Sequence, residues 1–199
     1  MYKCILASGS PRRQEILGQC GVCFDVVPSK KEEKTKNTEP ELVVKELALV
    51  KAEDIFRKCA SEDCIVIGAD TIVTLDNKIL GKPKDEEEAF SMLKSIQGRS
   101  HDVYTGVAIF ILKGDETKCV NFAEATKVNV REMSDQMIRE YVLTGEPADK
   151  AGGYGIQGAF APFVESIEGD YYNVVGLPIS KIYYEMLNCG IDLKKDCLI

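Results

Sequence analysis

The stretch Ser8-Gly9-Ser10-Pro11-Arg12-Arg13 puts two hydroxyls and two guanidinium groups into six residues, between an apolar run that reads as a strand and a run that reads as a helix. Backbone N–H groups at a helix start, reinforced by the positive end of the helix dipole, suit an anion such as phosphate. Arginine matches phosphate geometry with paired N–H donors. A capped helix with solvated arginines is the ordinary alternative. Asp70 stands between Ile65-Val66-Ile67 and Ile72-Val73. A carboxylate there is costly to bury unless it is paired or metal-bound, and the ends of central strands are where α/β proteins hold ligands. It reads as a general base or a metal-binding carboxylate, or else as a structural acid bonded to backbone amides. Lys51 follows Leu47 and precedes Ile55 at i, i+4 spacing, on the apolar face of its predicted helix. It either snorkels to water or points its ammonium at an anionic ligand.

Weaker candidates lie around these three. Lys82 sits in the tight turn Gly81-Lys82-Pro83. Glu32 and Glu33 belong to a charged, mobile-looking loop over residues 28–37 and, with Asp70, could hold Mg²⁺, which takes few protein carboxylates. Gly153, Gly155 and Gly158 satisfy a GxGxxG spacing, but no strand leads into it and no helix starts there, so dinucleotide binding is rejected. Close approach of the backbone to a ligand is the more general reading of these glycines. Gln157 offers an amide suited to the edge of a base. His101, the one histidine, reads as a hydrogen-bonded structural residue. Walker A, kinase, HExxH and GxSxG patterns are absent from the sequence.

These residues need elements to hold them. Lys3 to Ala7 reads as a strand, followed by a helix capped by Ser10 and opened by Pro11 that turns Ile16, Leu17 and Cys20 inward. Val22 to Val27 reads as a second strand. Thr38-Glu39-Pro40-Glu41 fits a capping box before a long helix striped by Val44, Leu47, Ala48 and Ile55. Cys64 to Ile67 reads as a buried central strand that breaks at Gly68-Ala69-Asp70-Thr71 and resumes at Ile72. Asp85 caps a helix carrying Ala89, Leu93 and Ile96 and stopping at Gly98. A long strand pair is expected over Val103 to Leu112 and Val120 to Val130, then a helix from Ser134 through Val142. Strands near Phe163 to Ile167 and Tyr172 to Val175 precede a last helix opened by Pro178. Helices and strands interleave without a linker or an internal repeat, as in an α/β protein.

At 199 residues, 45% hydrophobic and 29% charged, the chain fits one large domain or two fused lobes. Its 25 Lys and Arg against 32 Asp and Glu give a net charge of -7. That disfavours nucleic acid or an anionic membrane as a partner, and leaves anionic ligands to local basic clusters or a metal. No apolar run approaches the ~20 residues that span a bilayer, and the first residues do not resemble a secretory signal. With eight cysteines, a cytoplasmic location with reduced thiols is expected.

Six segments in order resemble the Maf family of nucleoside triphosphate pyrophosphatases. They are Leu6 to Arg13, Gly68 to Thr71, Gly81 to Pro83, Gly98 to Val107, Asp149 to Gly158 and Gly169 to Pro178. The resemblance implies an α/β fold like that of inosine triphosphate pyrophosphatases, with a mixed twisted sheet flanked by helices and two lobes around a cleft. It treats residues 1–199 as a single domain. It implies a hydrolase acting on acid anhydrides that uses a divalent cation, Mg²⁺ or Mn²⁺, to convert a nucleoside triphosphate to monophosphate and pyrophosphate. Asp70 matches the proton acceptor, and Ser8, Arg13, Glu33, Lys51 and Lys82 match residues around triphosphate and metal. Arg12, Thr71 and Gln157 match the members preferring dTTP and UTP. The family loop is usually acidic with little basic content, whereas Lys30 and Lys31 precede Glu32 and Glu33 here. Either glutamate could face the metal, and spacing from Arg13 favours Glu33. The resemblance also allows a homodimer. Two rivals remain: a non-catalytic regulator of cell division or septum formation, and a nucleotide sensor without turnover.

Overall fold

The computed structural model describes residues 1–59 and 62–198. In chain order the elements are β1 (Tyr2–Leu6), α1 (Pro11–Gln19), β2 (Asp25–Val26), α2 (Pro40–Cys59), β3 (Cys64–Leu75), β4 (Lys78–Leu80), α3 (Glu86–Ile96), β5 (Ser100–Lys113) and β6 (Glu116–Val130). There follow α4 (Asp135–Val142), β7 (Val164–Glu168), α5 (Tyr171–Val175), α6 (Ile179–Asn188), α7 (Leu193–Asp196) and β8 (Cys197–Leu198). The strands form a mixed eight-stranded sheet ordered β2-β1-β3-β5-β6-β7, with β8 on β1 and β4 on β3. The α/β class expected from the sequence is thus the one observed. β1 runs parallel to β2, β3 and β8, while β3–β4 and β6–β7 are antiparallel. Among the described residues no helix is long and apolar enough to cross a membrane.

The chain divides into two compact units. The first comprises Met1–Asp70, Thr105–Glu124 and Gly176–Ile199. Its core gathers Ile5, Ala7, Ile55, Cys64 and Val66 beside a second cluster of Ala48, Ala52 and Ala108. The helix stripe Val44, Leu47, Ala48 and Ile55 is buried as its spacing predicts. The second unit comprises Thr71–Tyr104 and Ala125–Val175. Val73, Leu93, Ile96, Val103, Ile138 and Phe160 belong to its core, and α3 and α4 there start as the sequence indicates. Asp85 accepts from the Glu88 N–H at 2.8 Å and Ser134 from the Met137 N–H at 3.2 Å.

Several expectations need correction. The strand read at Val22 to Val27 shrinks to Asp25–Val26. Gly21 N–H bonds the Gly18 carbonyl and Val22 N–H the Leu17 carbonyl, closing α1 in a Schellman motif that takes Val22 out of any ladder and leaves Cys20 as the cap. Ser10 occupies the N-cap of α1 without a side-chain capping bond. β3 does not break at Gly68-Ala69-Asp70-Thr71 but runs unbroken to Leu75. Gly68 serves packing instead of a turn: a Cβ there would meet the Ala48 carbonyl oxygen at 2.6 Å and the Ala52 nitrogen at 2.7 Å, both on α2. The same helix lies against β5, where a Cβ on Gly106 would stand 2.1 Å from the Val44 oxygen. Tyr172 to Val175 is helical. Its aromatic and β-branched residues favour a strand, but Asp170 accepts from the Tyr172 N–H at 2.8 Å and starts a turn of helix. The strand pair is longer than expected, running Ser100–Lys113 and Glu116–Val130. β4, α7 and β8 carry no strong pattern in the sequence.

Candidate functional site

Register delivers the site. Leu6 of β1 pairs with Ile67 of β3, and the Ala7 N–H bonds the Ile67 carbonyl at 2.8 Å. Ser8 therefore emerges at the carboxyl end of β1, the kind of place where open α/β sheets hold ligands, beside Asp70, which lies three residues past Ile67 within the longer β3. Gly68 and Asp70 are two residues apart on β3 and share a face. The helix that Gly68 admits is α2, and it brings Lys51 to Asp70, Nζ to Oδ1, at 2.6 Å. The same ammonium lies 2.9 Å from a Glu33 oxygen. Thr71, the next residue on β3, projects to the opposite face.

Burial sharpens these contacts. Asp70 is 8% exposed, Arg13 9% and Ser8 7%. The Arg13 Nε donates to the Gly176 carbonyl at 2.7 Å and its Nη1 to the Ser8 Oγ at 3.0 Å. The Ser10 N–H also donates to the Ser8 Oγ, at 3.3 Å. Burial lowers the Arg13 pKa from its ordinary value; Asp70 and Glu33 pull it back up, and Arg12 opposes them. The guanidinium stays charged at any physiological pH. Three cations, Arg12, Arg13 and Lys51, thus share one field with two carboxylates. Arg12 is half-buried and Glu33 more exposed.

The loop over residues 28–37 is laced to α2. Ser29 donates to Asp54 at 2.7 Å, Asn37 to Glu46 at 2.8 Å, and the Thr35 hydroxyl also meets Glu46. Of its two glutamates, Glu33 turns to Lys51, whereas Glu32 pairs with Lys34 at 2.8 Å with both side chains mostly in water. The Lys51 ammonium itself occupies the position between the Glu33 and Asp70 carboxylates, whose oxygens are of the kind a hard cation takes. Among the described residues no group of three or more His, Cys, Asp or Glu is placed to hold a metal. Glu33 and Asp70 could hold one only with water or phosphate oxygens completing its shell.

Lys82, Thr71 and Gln157 belong to the second unit. Lys82 is exposed, and its turn is tied to the glycine-rich segment by the Gly152 N–H, which bonds the Gly81 carbonyl at 3.0 Å. Gln157 is exposed in a turn closed by the Gly158 N–H on the Gly155 carbonyl at 3.2 Å. The glycines of this turn do not make room for a ligand, as the sequence suggested. A Cβ on Gly158 would lie 2.3 Å from both carboxylate oxygens of Glu146, and one on Gly155 would lie 2.7 Å from the Lys150 Cε. His101 is structural, as expected: it is 2% exposed, with its Nε2 2.7 Å from the Tyr154 hydroxyl. Burial pushes its pKa down to about 4.

Sequence reasoning missed the Gly176 carbonyl, because a backbone acceptor leaves no mark on residue type. It also missed Glu146, whose signal was the pair of glycines needed around it, and Asn173. The Asn173 amide donates to the Val103 carbonyl and to the Thr126 hydroxyl, each at 3.0 Å. An amide within Tyr171-Tyr172-Asn173-Val174-Val175 was the clue.

Residues 3–189 match the family described as Maf-like protein. The chain belongs to the Maf family. A relative from Lachnoclostridium phytofermentans named dTTP/UTP pyrophosphatase is 49% identical over 197 residues, covering 98% of this chain and 99% of its own. Another of that name, from Agathobacter rectalis, is 45% identical over 205 residues, covering 97% and 100%. Among solved structures, a dITP/XTP pyrophosphatase from Mycobacterium abscessus aligns with 64% of this chain and 74% of its own, at 17% identity and a TM-score of 0.43.

Proposed function

We propose that this Maf protein is a cytoplasmic nucleoside triphosphate pyrophosphatase that hydrolyses dTTP and UTP, or modified pyrimidine nucleotides, to the monophosphate and pyrophosphate. The observation that carries the reading is the convergence of Arg13, Lys51, Glu33 and Asp70 beside the carboxyl end of β1. The near full-length relatives named for this activity support it. Eight free cysteines support the location.

In this reading Arg12, Arg13, Lys51, Lys82 and the amides at the start of α1 hold the triphosphate, and Ser8 fixes the Arg13 guanidinium. When bound, a divalent cation, Mg²⁺ or Mn²⁺, neutralises phosphate charge, with Glu33 and Asp70 as its protein ligands. Asp70 accepts a proton from water. The water oxygen bonds to the α-phosphorus, the bond to the bridging oxygen breaks, and pyrophosphate leaves with that electron pair. Lys51 engages Oδ1 of Asp70 and so orients the carboxylate for proton transfer at Oδ2. Positioning and charge neutralisation supply most of the rate gain. Thr71 and Gln157, with Arg12, select the base, because a site built for hydrogen bonds leaves buried groups unpaired against the wrong partner.

The test is Asp70→Asn, which keeps shape and removes the base. Turnover of dTTP is expected to fall by ~100-fold or more, while nucleotide binding, followed by calorimetry, persists. Turnover at the wild-type rate would remove Asp70 from the proton-transfer role.

A further inference from the structure

The turn that carries Gln157 is held from both sides by two residues outside the family resemblance. Tyr141, in the last turn of α4, donates its hydroxyl to the Glu146 Oε1 at 2.9 Å and accepts the Gly155 N–H at 3.3 Å. Glu146 accepts the Ala159 N–H on its other oxygen, Oε2, at 2.8 Å. The two anchored amides lie two residues before and two residues after Gln157. The flanks are fixed as well: Tyr154 is 6% exposed and Phe160 fully buried, their rings 4.7 Å apart. Tyr141 packs on Phe160 at 5.1 Å. Gly158 leaves the space that the carboxylate fills, so that the turn and the acid fit only together. Lys150 closes the arrangement from behind, donating to the Glu146 carbonyl at 2.7 Å. The Gln157 side chain is exposed while the backbone on either side of it is bound, which is how a polar side chain is aimed without being buried.

We propose that Glu146, acting with Tyr141, is a positioning residue for nucleotide selection: its carboxylate holds the Gly155–Ala159 turn in the conformation that presents the Gln157 amide to the base. This inference rests on the reading that Gln157 reads the base. Glu146 touches no substrate in it; the discrimination it supports is expressed through Gln157. A glutamine at 146 could keep both contacts, its carbonyl accepting from Ala159 and its amide donating to the Tyr141 oxygen, whereas alanine could keep neither.

The experiment measures kcat/KM for dTTP and for GTP in the wild type and in Gln157→Ala, Glu146→Ala, Glu146→Gln and Tyr141→Phe, with thermal melts and amide hydrogen exchange at residues 156–159. Glu146→Ala is expected to reduce the dTTP-over-GTP preference by about tenfold, the effect of roughly one lost charged hydrogen bond. It acts through KM for dTTP, with GTP turnover unchanged within about threefold on the same scale. Exchange over the turn quickens, and Glu146→Gln restores both selectivity and protection. Tyr141→Phe, which keeps the ring packing, shifts selectivity the same way by a smaller factor and serves if the alanine variant does not fold. An equal loss on both nucleotides, or unaltered turn exchange, would overturn the proposal. If Gln157→Ala abolishes the preference and neither Glu146→Ala nor Tyr141→Phe changes it, the positioning role falls while base reading by Gln157 stands. If Gln157→Ala itself leaves the preference intact, base reading by Gln157 is the claim that fails, and the positioning role fails with it.

Discussion

At the scale of single residues, the molecule places charge where folding alone would not. Asp70 and Lys51 are costly to take out of water singly and are held together in one ion pair. An isolated structural pair would need no third charge, yet Glu33 joins the same ammonium and Arg13 lies in the same field. His101 shows the opposite case, a titratable group buried to be neutral. Its folded-state pKa of about 4 lies below the ordinary 6.5. The unfolded chain therefore binds the proton more readily between those values, and the stability His101 contributes is complete above pH 6.5 and lost as pH falls towards 4. Between pH 7 and pH 5 that loss is about 2 kcal/mol. Urea midpoints at the two pH values should show it in the wild type and a shallower fall in His101→Gln. The same fall in both proteins would show that other groups carry the acid sensitivity.

Among the elements, the contact of α2 with β3 and β5 decides where the site is. Gly68 and Gly106 let helix backbone approach strand backbone closer than any side chain permits. Gly68→Ala would press a methyl group on the Ala48 carbonyl and Ala52 nitrogen, costing ~3 kcal/mol, and would push Lys51 away from Asp70. Gly81→Ala, with nothing within 4 Å of the new carbon, should leave stability nearly unchanged. Denaturant midpoints of the two variants check this, and similar midpoints would contradict the packing account. The sequence reveals α2, α3 and α4 well, because capping residues and buried stripes at i, i+3 and i+4 are local signals. It also reveals Lys51 and Asp70 as polar residues where apolar ones belong. It misleads at Gly68-Ala69-Asp70-Thr71, because a glycine needed for helix packing looks the same as one needed for a turn. It misleads at Tyr172 to Val175, where one capping aspartate outweighs strand propensity. β8 owes its pairing to β1, a partner almost the whole chain away, and no local pattern could announce it.

For the molecule as a whole, a net charge of -7 repels a triphosphate at long range, so in the proposed reading binding rests on local cations such as Arg13 and Lys51. A nucleotide sensor would need the same local cations, and a regulator of division would need no turnover, so turnover is what separates this reading from both. The most direct measurement is pyrophosphate release from dTTP, UTP, dATP and GTP, with Mg²⁺ or Mn²⁺ and with EDTA. Release from dTTP and UTP in preference to the purines, abolished by EDTA and matched by monophosphate formation, is the predicted result. Equal rates on all four nucleotides would contradict the selectivity assigned to Arg12, Thr71 and Gln157. Silence from folded, metal-loaded protein would contradict the pyrophosphatase activity itself.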